Sequence, residues 1–173
     1  MADEKQGKAA RPVIKIPFTD TDYVFEAIAV IGIICGIVAV ARAFPILPAR
    51  IPTHFGASGV PNGWGSKNSL WFVAGLNAFL YAAFLTLSLF PQTFNYPVKV
   101  TEENAERLYR RAIGMLRWLR IEVAWTFAFM IYRSVQVAFG SAKGLGGAFL
   151  YVVVALVLVT TLYWAVEMVR EKG

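Results

Sequence analysis

Four apolar runs, each about as long as a bilayer is thick, constrain this chain more than anything else in it. They lie at residues 23–43, 70–90, 113–138 and 148–169. A helix needs about 20 predominantly apolar residues to cross roughly 30 Å of hydrocarbon, so each run reads as a spanning helix. Hydrophobic residues make up 57% of the 173, and charged residues only 16%. Soluble domains carry about 25% charged residues. A core of this size cannot bury the apolar excess, whereas a membrane can. The expected fold is an all-α integral membrane protein, a four-transmembrane-helix bundle. A Pro/Gly-rich structured outer loop at 44–69 follows the first helix. A connection at 91–112 leads into a long third helix that projects into the cytosol. Residues 1–22 form a cytosolic N-terminal tail, its first ten or so disordered, and 23–173 form a single membrane domain.

Details along the chain refine this outline. Glu26 lies near the start of the first span, where a carboxylate complements the helix N-terminus. Gly32 and Gly36 are a small-xxx-small pair, read here as the ordinary frequency of glycine in such spans. Cys35 reads as a small buried hydrophobe. Ala41-Arg42-Ala43 resembles a signal-peptide cleavage site, but the apolar run before it is too long, and no cleavage is expected. Thr101 is a good N-cap for the third helix, with Glu103–Arg107 and Glu106–Arg110 as i,i+4 pairs.

Charge placement gives an orientation. Lys and Arg number four in the N-terminal tail, six between Pro91 and Arg120 and two at the C-terminus, twelve on one side. Arg42, Arg50, Lys67, Arg133 and Lys143 make five on the other. The positive-inside rule places the twelve in the cytosol, so both termini are cytoplasmic and the 44–69 loop faces out. The net charge of +6 therefore reflects membrane topology, and no nucleic-acid partner is expected. No Asp or Glu occurs between Glu26 and Glu102, or between Glu122 and Glu167. The outer face then carries cations without a carboxylate.

That absence excludes chemistry. Paired-carboxylate hydrolysis has no carboxylates outside. The single His54 and single Cys35 cannot assemble a metal site. His54 with Ser58 or Ser66 lacks an acid to orient the imidazole, so it reads as a hydrogen-bonding residue. The order Gly65-Ser66-Lys67 is wrong for a phosphate loop. Pro61-Asn62-Gly63 has the chemistry of a tight turn, with 51–55 extended before it. Trp64 and Trp71 suit the membrane interface, and Arg50 and Lys67 suit snorkelling to phosphates. The candidate ligand-binding residues are Arg50, His54, Asn62, Trp64, Lys67 and Arg133. Glu122, Asn77 and Gln136 are candidate interhelical polar residues, with Arg120 or Thr126 as the suggested partner of Glu122. No catalytic residue, cofactor or metal is assigned.

Two stretches carry a family resemblance. One is Leu47-Pro48-Ala49-Arg50-Ile51-Pro52-Thr53-His54-Phe55 followed by Gly59, Pro61, Asn62, Gly63, Trp64, Gly65 and Lys67. The other runs from Asn95-Tyr96-Pro97 to Arg107. They resemble the domain-of-unknown-function 1648 family, a module shared with SdpI-type bacterial immunity proteins; the family commonly has Asp where this chain has Asn62. The resemblance implies a bacterial or archaeal cell-membrane protein with no established activity. The leading expectation is a non-enzymatic binding or immunity/signalling module whose outer loop engages a lipid or peptide. The alternatives are an accessory subunit of a larger membrane complex, or a small transporter or membrane enzyme. Expected partners are membrane lipids and a peptide or membrane protein, with a homo-oligomer open.

Overall fold

Thr19 opens the first helix ahead of the apolar run. Its hydroxyl accepts from the Asp22 N–H at 3.3 Å, and the Asp22 carboxylate accepts from the Thr19 N–H at 2.9 Å, completing a capping box. The computed structural model describes residues 11–171, so the expected disordered stretch lies outside them. Its elements are α1 (Asp20–Ala43), β1 (Arg50–Phe55), β2 (Pro61–Ser66), α2 (Ser69–Leu87), a 3₁₀ turn at Pro91–Thr93, α3 (Ala105–Ala138) and α4 (Phe149–Arg170). Three helices are long and apolar enough to cross a membrane: α1, α2 and α4, with mean hydropathies of 2.6, 1.8 and 2.3.

α3 is the hub, with α1, α2, α4 and β1 all packed on it. Its 34 residues extend about 51 Å at 1.5 Å per residue. Regular helix is reached at Ala105, and Thr101 makes the capping contacts expected of it, its hydroxyl accepting from the Asn104 N–H at 3.4 Å and its carbonyl from the Ala105 N–H at 3.0 Å. Asn104 returns the exchange. Its side-chain oxygen accepts from the Thr101 N–H at 2.8 Å, and its amide donates to the Lys99 carbonyl at 3.0 Å. Of the two expected ion pairs in this region, Glu106–Arg110 forms at 3.2 Å. Arg107 meets Glu103 through its backbone carbonyl alone and turns its charge to Glu171 at 2.7 Å.

Gly32 and Gly36 have a specific job, contrary to the ordinary-frequency reading. Both face α3. A Cβ on Gly32 would lie 3.2 Å from the Trp125 ring, and one on Gly36 would lie 3.3 Å from Ile131 and 3.6 Å from the Ala128 backbone. The pair lets α1 approach α3 closely, which is how small residues are used where lipid is the competing solvent. Cys35, one position away from Gly36, is exposed rather than buried.

Between α1 and α2 the chain forms an antiparallel hairpin, a small sheet added to the expected helical fold. Its register pairs Arg50 with Ser66, Pro52 with Trp64 and Phe55 with Pro61. Pro61-Asn62-Gly63 is not the turn but the start of β2. The reversal is made by Gly56–Gly59, where the Gly59 N–H donates to the Gly56 carbonyl at 2.8 Å and the Gly56 N–H to the Val60 carbonyl at 2.9 Å. Gly59 takes φ +74, and a Cβ there would also strike the Gly146 carbonyl at 2.4 Å. Two glycines flanking two small residues accept this reversal more easily than Pro61, which suits the first position of a strand.

The core is three clusters strung along α3, the middle one formed by Ala29, Ile33 and Ala124. At the hairpin end Val40, Ala43, Leu47, Ile51 and Leu70 pack on Ile131 and Val135. At the opposite end, the base, Leu108, Tyr109 and Ala112 pack with Met168 of α4 and with Ile14 and Ile16 ahead of α1. α4 is peripheral: no residue of its most apolar stretch is buried. It is seated by the Phe129–Phe149 stack at one end and by Trp164 over Gly114 at the other.

The glycine contacts predict a graded response. Gly36→Leu, overpacked against α3, is expected to cost about 1–3 kcal/mol. Gly75→Ala, with nothing within 4 Å of its Cβ, is expected to be neutral or slightly stabilising. Thermal unfolding in detergent measures both, and equal losses would contradict the packing.

Candidate functional site

The hairpin is fastened at several points by side chains from the candidate site. Lys67 Nζ donates to the Phe44 carbonyl at 2.9 Å and the Leu47 carbonyl at 3.3 Å, and lies 4.6 Å from the Phe44 ring centroid. It thus caps the C-terminal end of α1, where a cation is favoured, and is not a free cation. Arg50 donates to the Trp64 carbonyl at 3.2 Å across the strands. Arg133 donates to the Gly144 carbonyl, its Nε at 2.9 Å. The neighbouring Leu145 N–H donates to the Gly59 carbonyl at 2.8 Å, so the α3–α4 loop that Arg133 holds in turn holds the hairpin tip. All three candidate cations donate to backbone carbonyls of the fold.

What the hairpin presents is a polar and aromatic face. His54 Nδ1 donates to the Asn62 side-chain carbonyl across the strands, which leaves Nε2 facing outward without a partner among the hydrogen bonds of the described residues. Gly63 makes room for this pair, since a Cβ there would lie 2.9 Å from the His54 Cβ. Gly65 does the same for Thr53, at 3.0 Å. Trp64 is 49% exposed, and His54 and Asn62 are exposed with it. The structure therefore gathers Arg50, His54, Asn62 and Trp64 on the hairpin, places Lys67 at its root and links Arg133 to its tip.

A second polar centre lies at the base, built on Glu26 and Arg120 in a pairing that the sequence did not suggest. Arg120 is fully buried and pairs with Glu26 of α1. It also donates to the Ser88 hydroxyl at 2.8 Å and the Phe84 carbonyl at 3.3 Å, both at the end of α2. Tyr81 of α2 donates to the other Glu26 oxygen at 2.9 Å. Arg117, one turn earlier on α3, pairs with Asp22 at 2.6 Å and reaches Glu26 at 3.7 Å. Glu26 is thus the junction of three helices rather than a solvated helix-end charge. The signal was present as spacing: Asp22 and Glu26 are four apart, Arg117 and Arg120 three apart, and each pair shares one helix face.

The interhelical candidates divide. Asn77, buried in α2, donates to the Ala124 carbonyl of α3 at 3.2 Å. Glu122 meets neither Arg120 nor Thr126; it accepts from the Thr160 hydroxyl of α4. Two helical positions separate Glu122 from Arg120, so their side chains point to nearly opposite sides of α3. Gln136 is not interhelical: it accepts from the Ser141 hydroxyl in the following loop, through both side chain and backbone.

Glu171 latches the end of α4 onto α3. The Arg107 hydrogen bond, joined by Arg111 at 3.2 Å, holds its carboxyl below the ordinary glutamate value. Tyr96 and Tyr109, near the base, are raised above the ordinary phenol value by burial.

Two measurements follow. Glu26→Ala leaves Arg120 buried without its carboxylate and is expected to cost about 3–5 kcal/mol. The exposed Arg110–Glu106 pair is expected to be worth less than about 1 kcal/mol. Unfolding of Glu26→Ala beside Arg110→Ala in detergent reads the difference. Because the Glu171 carboxyl is lowered on docking, the latch stabilises above the ordinary glutamate range, about 4.3. It is lost as pH falls through the lowered value. A spin-label distance from α3 to the end of α4 should lengthen only in that acidic window.

No curated protein and no solved structure matches this chain. Residues 30–78, from within α1 across the hairpin into α2, match the family model described as a domain of unknown function (DUF1648). The similarity is to that segment, the second half of α1, the hairpin and the first half of α2, in a chain with three helices long and apolar enough to cross a membrane.

Proposed function

We propose that the chain is a four-span cell-membrane protein with both termini cytoplasmic, and that its hairpin is a non-enzymatic recognition platform on the outer face. α3 serves as the fourth span in this reading. Its charged first half lies at the cytosolic side and its apolar half in lipid. The positive-inside count supports the orientation. On it, the base network of Asp22, Glu26, Arg117 and Arg120 lies at the inner boundary, where long side chains still reach water.

The observation that carries the recognition reading is the rigidity of an exposed face. Lys67, Arg133 and the Gly59–Leu145 bond fix the hairpin, yet Trp64, His54 and Asn62 remain turned to solvent. A surface ordered before its ligand arrives loses little entropy on binding. With the cations engaged on backbone carbonyls, recognition rests on aromatic area and the His54–Asn62 hydrogen-bonding edge. A lipid headgroup or the backbone of a peptide fits that chemistry. A peptide ligand would make the protein an immunity or signalling module like the SdpI type. A second reading, accessory subunit of a complex, is favoured by one observation: the unburied apolar stretch of α4.

The test has two parts. Single cysteines at Ala57 and Glu102 in sealed vesicles should label from opposite sides; labelling from the same side would overturn the topology. Trp64→Ala with His54→Ala should weaken binding of headgroup-bearing liposomes or candidate peptides about tenfold or more, with thermal stability nearly unchanged. Unchanged binding would sink the recognition role.

A further inference from the structure

Between α3 and α4 lies a groove of about 740 Å³ that ends at the Leu145–Ala148 loop beneath the hairpin tip and includes no residue of the hairpin face or the base network. Trp125 and Phe129 of α3 and Phe149, Val153 and Leu156 of α4 line it, and a single acid, Glu122, stands among them. Glu122 Oε1 takes the Thr160 hydroxyl, midway along α4. Its Oε2 is buried and has no hydrogen-bond partner among the described residues. No Lys or Arg among the described residues lies within ion-pair distance of it, and the chain's arginines at this level, Arg117 and Arg120, turn to α1 and α2.

The geometry points to this groove as a binding site for a lipophilic organic cation, an amine or onium carried on an apolar body. Three features converge. The walls are apolar and open along the helix pair, so an apolar body can enter sideways from lipid. Three of the lining residues are aromatic, and ring faces attract desolvated cations. The carboxyl has an unsatisfied oxygen in a low-dielectric setting, where a charge several ångströms away still acts strongly. An anionic lipid is disfavoured by the same carboxyl, and a plain acyl chain leaves Oε2 unsatisfied. α4 is tied to α3 by the Phe149 stack and next by the Thr160–Glu122 bond, so the groove-lining stretch between them, Val152 to Leu156, can adjust to a guest. The inference is independent of what the hairpin recognises.

The probe is tetraphenylphosphonium, measured by equilibrium dialysis on the full chain in neutral-lipid nanodiscs, with empty discs subtracted. Triphenylphosphine oxide serves as the neutral aromatic control. Saturable binding of the cation is expected, with about tenfold or greater weakening for the neutral control and for Glu122→Gln. Gln keeps an acceptor for Thr160, so the helix pair is retained. Val153→Trp keeps Glu122 and fills the groove; it should abolish binding. The proposal is overturned if the cation does not saturate above empty discs. It is equally overturned if the neutral control or Glu122→Gln binds as tightly, or if Val153→Trp binds like the unaltered protein.

Discussion

The fold depends on where a single buried guanidinium finds its charge partner. Arg120 is fully buried on the central helix, and an arginine so placed is costly unless its charge and its donors are met. Glu26 of α1 meets the charge, while Ser88 and Phe84 of α2 both accept from Nη1; only the buried Nε–H has no partner among the described residues. Tyr81 then satisfies the second oxygen of Glu26. One side chain thereby specifies the register of two helices against a third. Apolar packing alone would do this poorly, because lipid tails compete for the same surfaces without discrimination. The glycines of α1 complete the effect: Gly32 and Gly36 set how closely α1 approaches, and Glu26 sets where along α3 it stops.

Much of this was legible, and the failures have a common cause. Apolar runs located α1, α2 and α4, because length and hydropathy are local properties. Asn77 as an interhelical donor was legible too, since a buried amide in an apolar run must find a carbonyl. Partner choice was not, because it depends on which faces of two helices meet. Glu122 and Arg120 are near neighbours in sequence yet serve different helices. Lys67 and Arg133 looked like free cations because the carbonyls they satisfy lie 20 and 11 residues or more away. The hairpin turn was misplaced for a related reason. Pro61-Asn62-Gly63 has good turn chemistry, but Gly59 must also fit against Gly146, a tertiary demand only glycine meets.

α3 separates its functions by face. Arg117 and Arg120 turn toward α1 and α2, where they hold the base together. Arg107 and Arg111 turn toward the end of α4 and its Glu167 and Glu171. Glu122 turns toward the middle of α4 and a hydroxyl. The two faces differ in consequence. The first is charge-compensated within the fold, so its role is positional. The second ends in a carboxyl oxygen for which the described residues supply no donor. The compensated charges and the unsatisfied carboxyl oxygen thus occupy opposite sides of one helix, and a change at Glu122 need not disturb the base network.

The DUF1648 segment is, for the same reason, a unit of sequence rather than of folding. Residues 30–78 carry the Lys67 clamp on Phe44 and Leu47 and the His54–Asn62 pair, so the hairpin is largely self-fastened. Its core is not self-contained. Val40, Ala43, Leu47 and Ile51 are closed over by Ile131 and Val135, and the hairpin tip is held through Leu145 and the loop that Arg133 supports. Glu26, which aligns α1, falls outside the segment, and Arg120, which it serves, belongs to α3. A helix pair with a hairpin would expose both glycine faces of α1 and leave Asn77 without its carbonyl. With its hairpin docked as it is here, this segment therefore needs a third helix that packs closely on the glycines, an apolar ridge beneath the hairpin and a backbone carbonyl that can take a second donor at the level of Asn77.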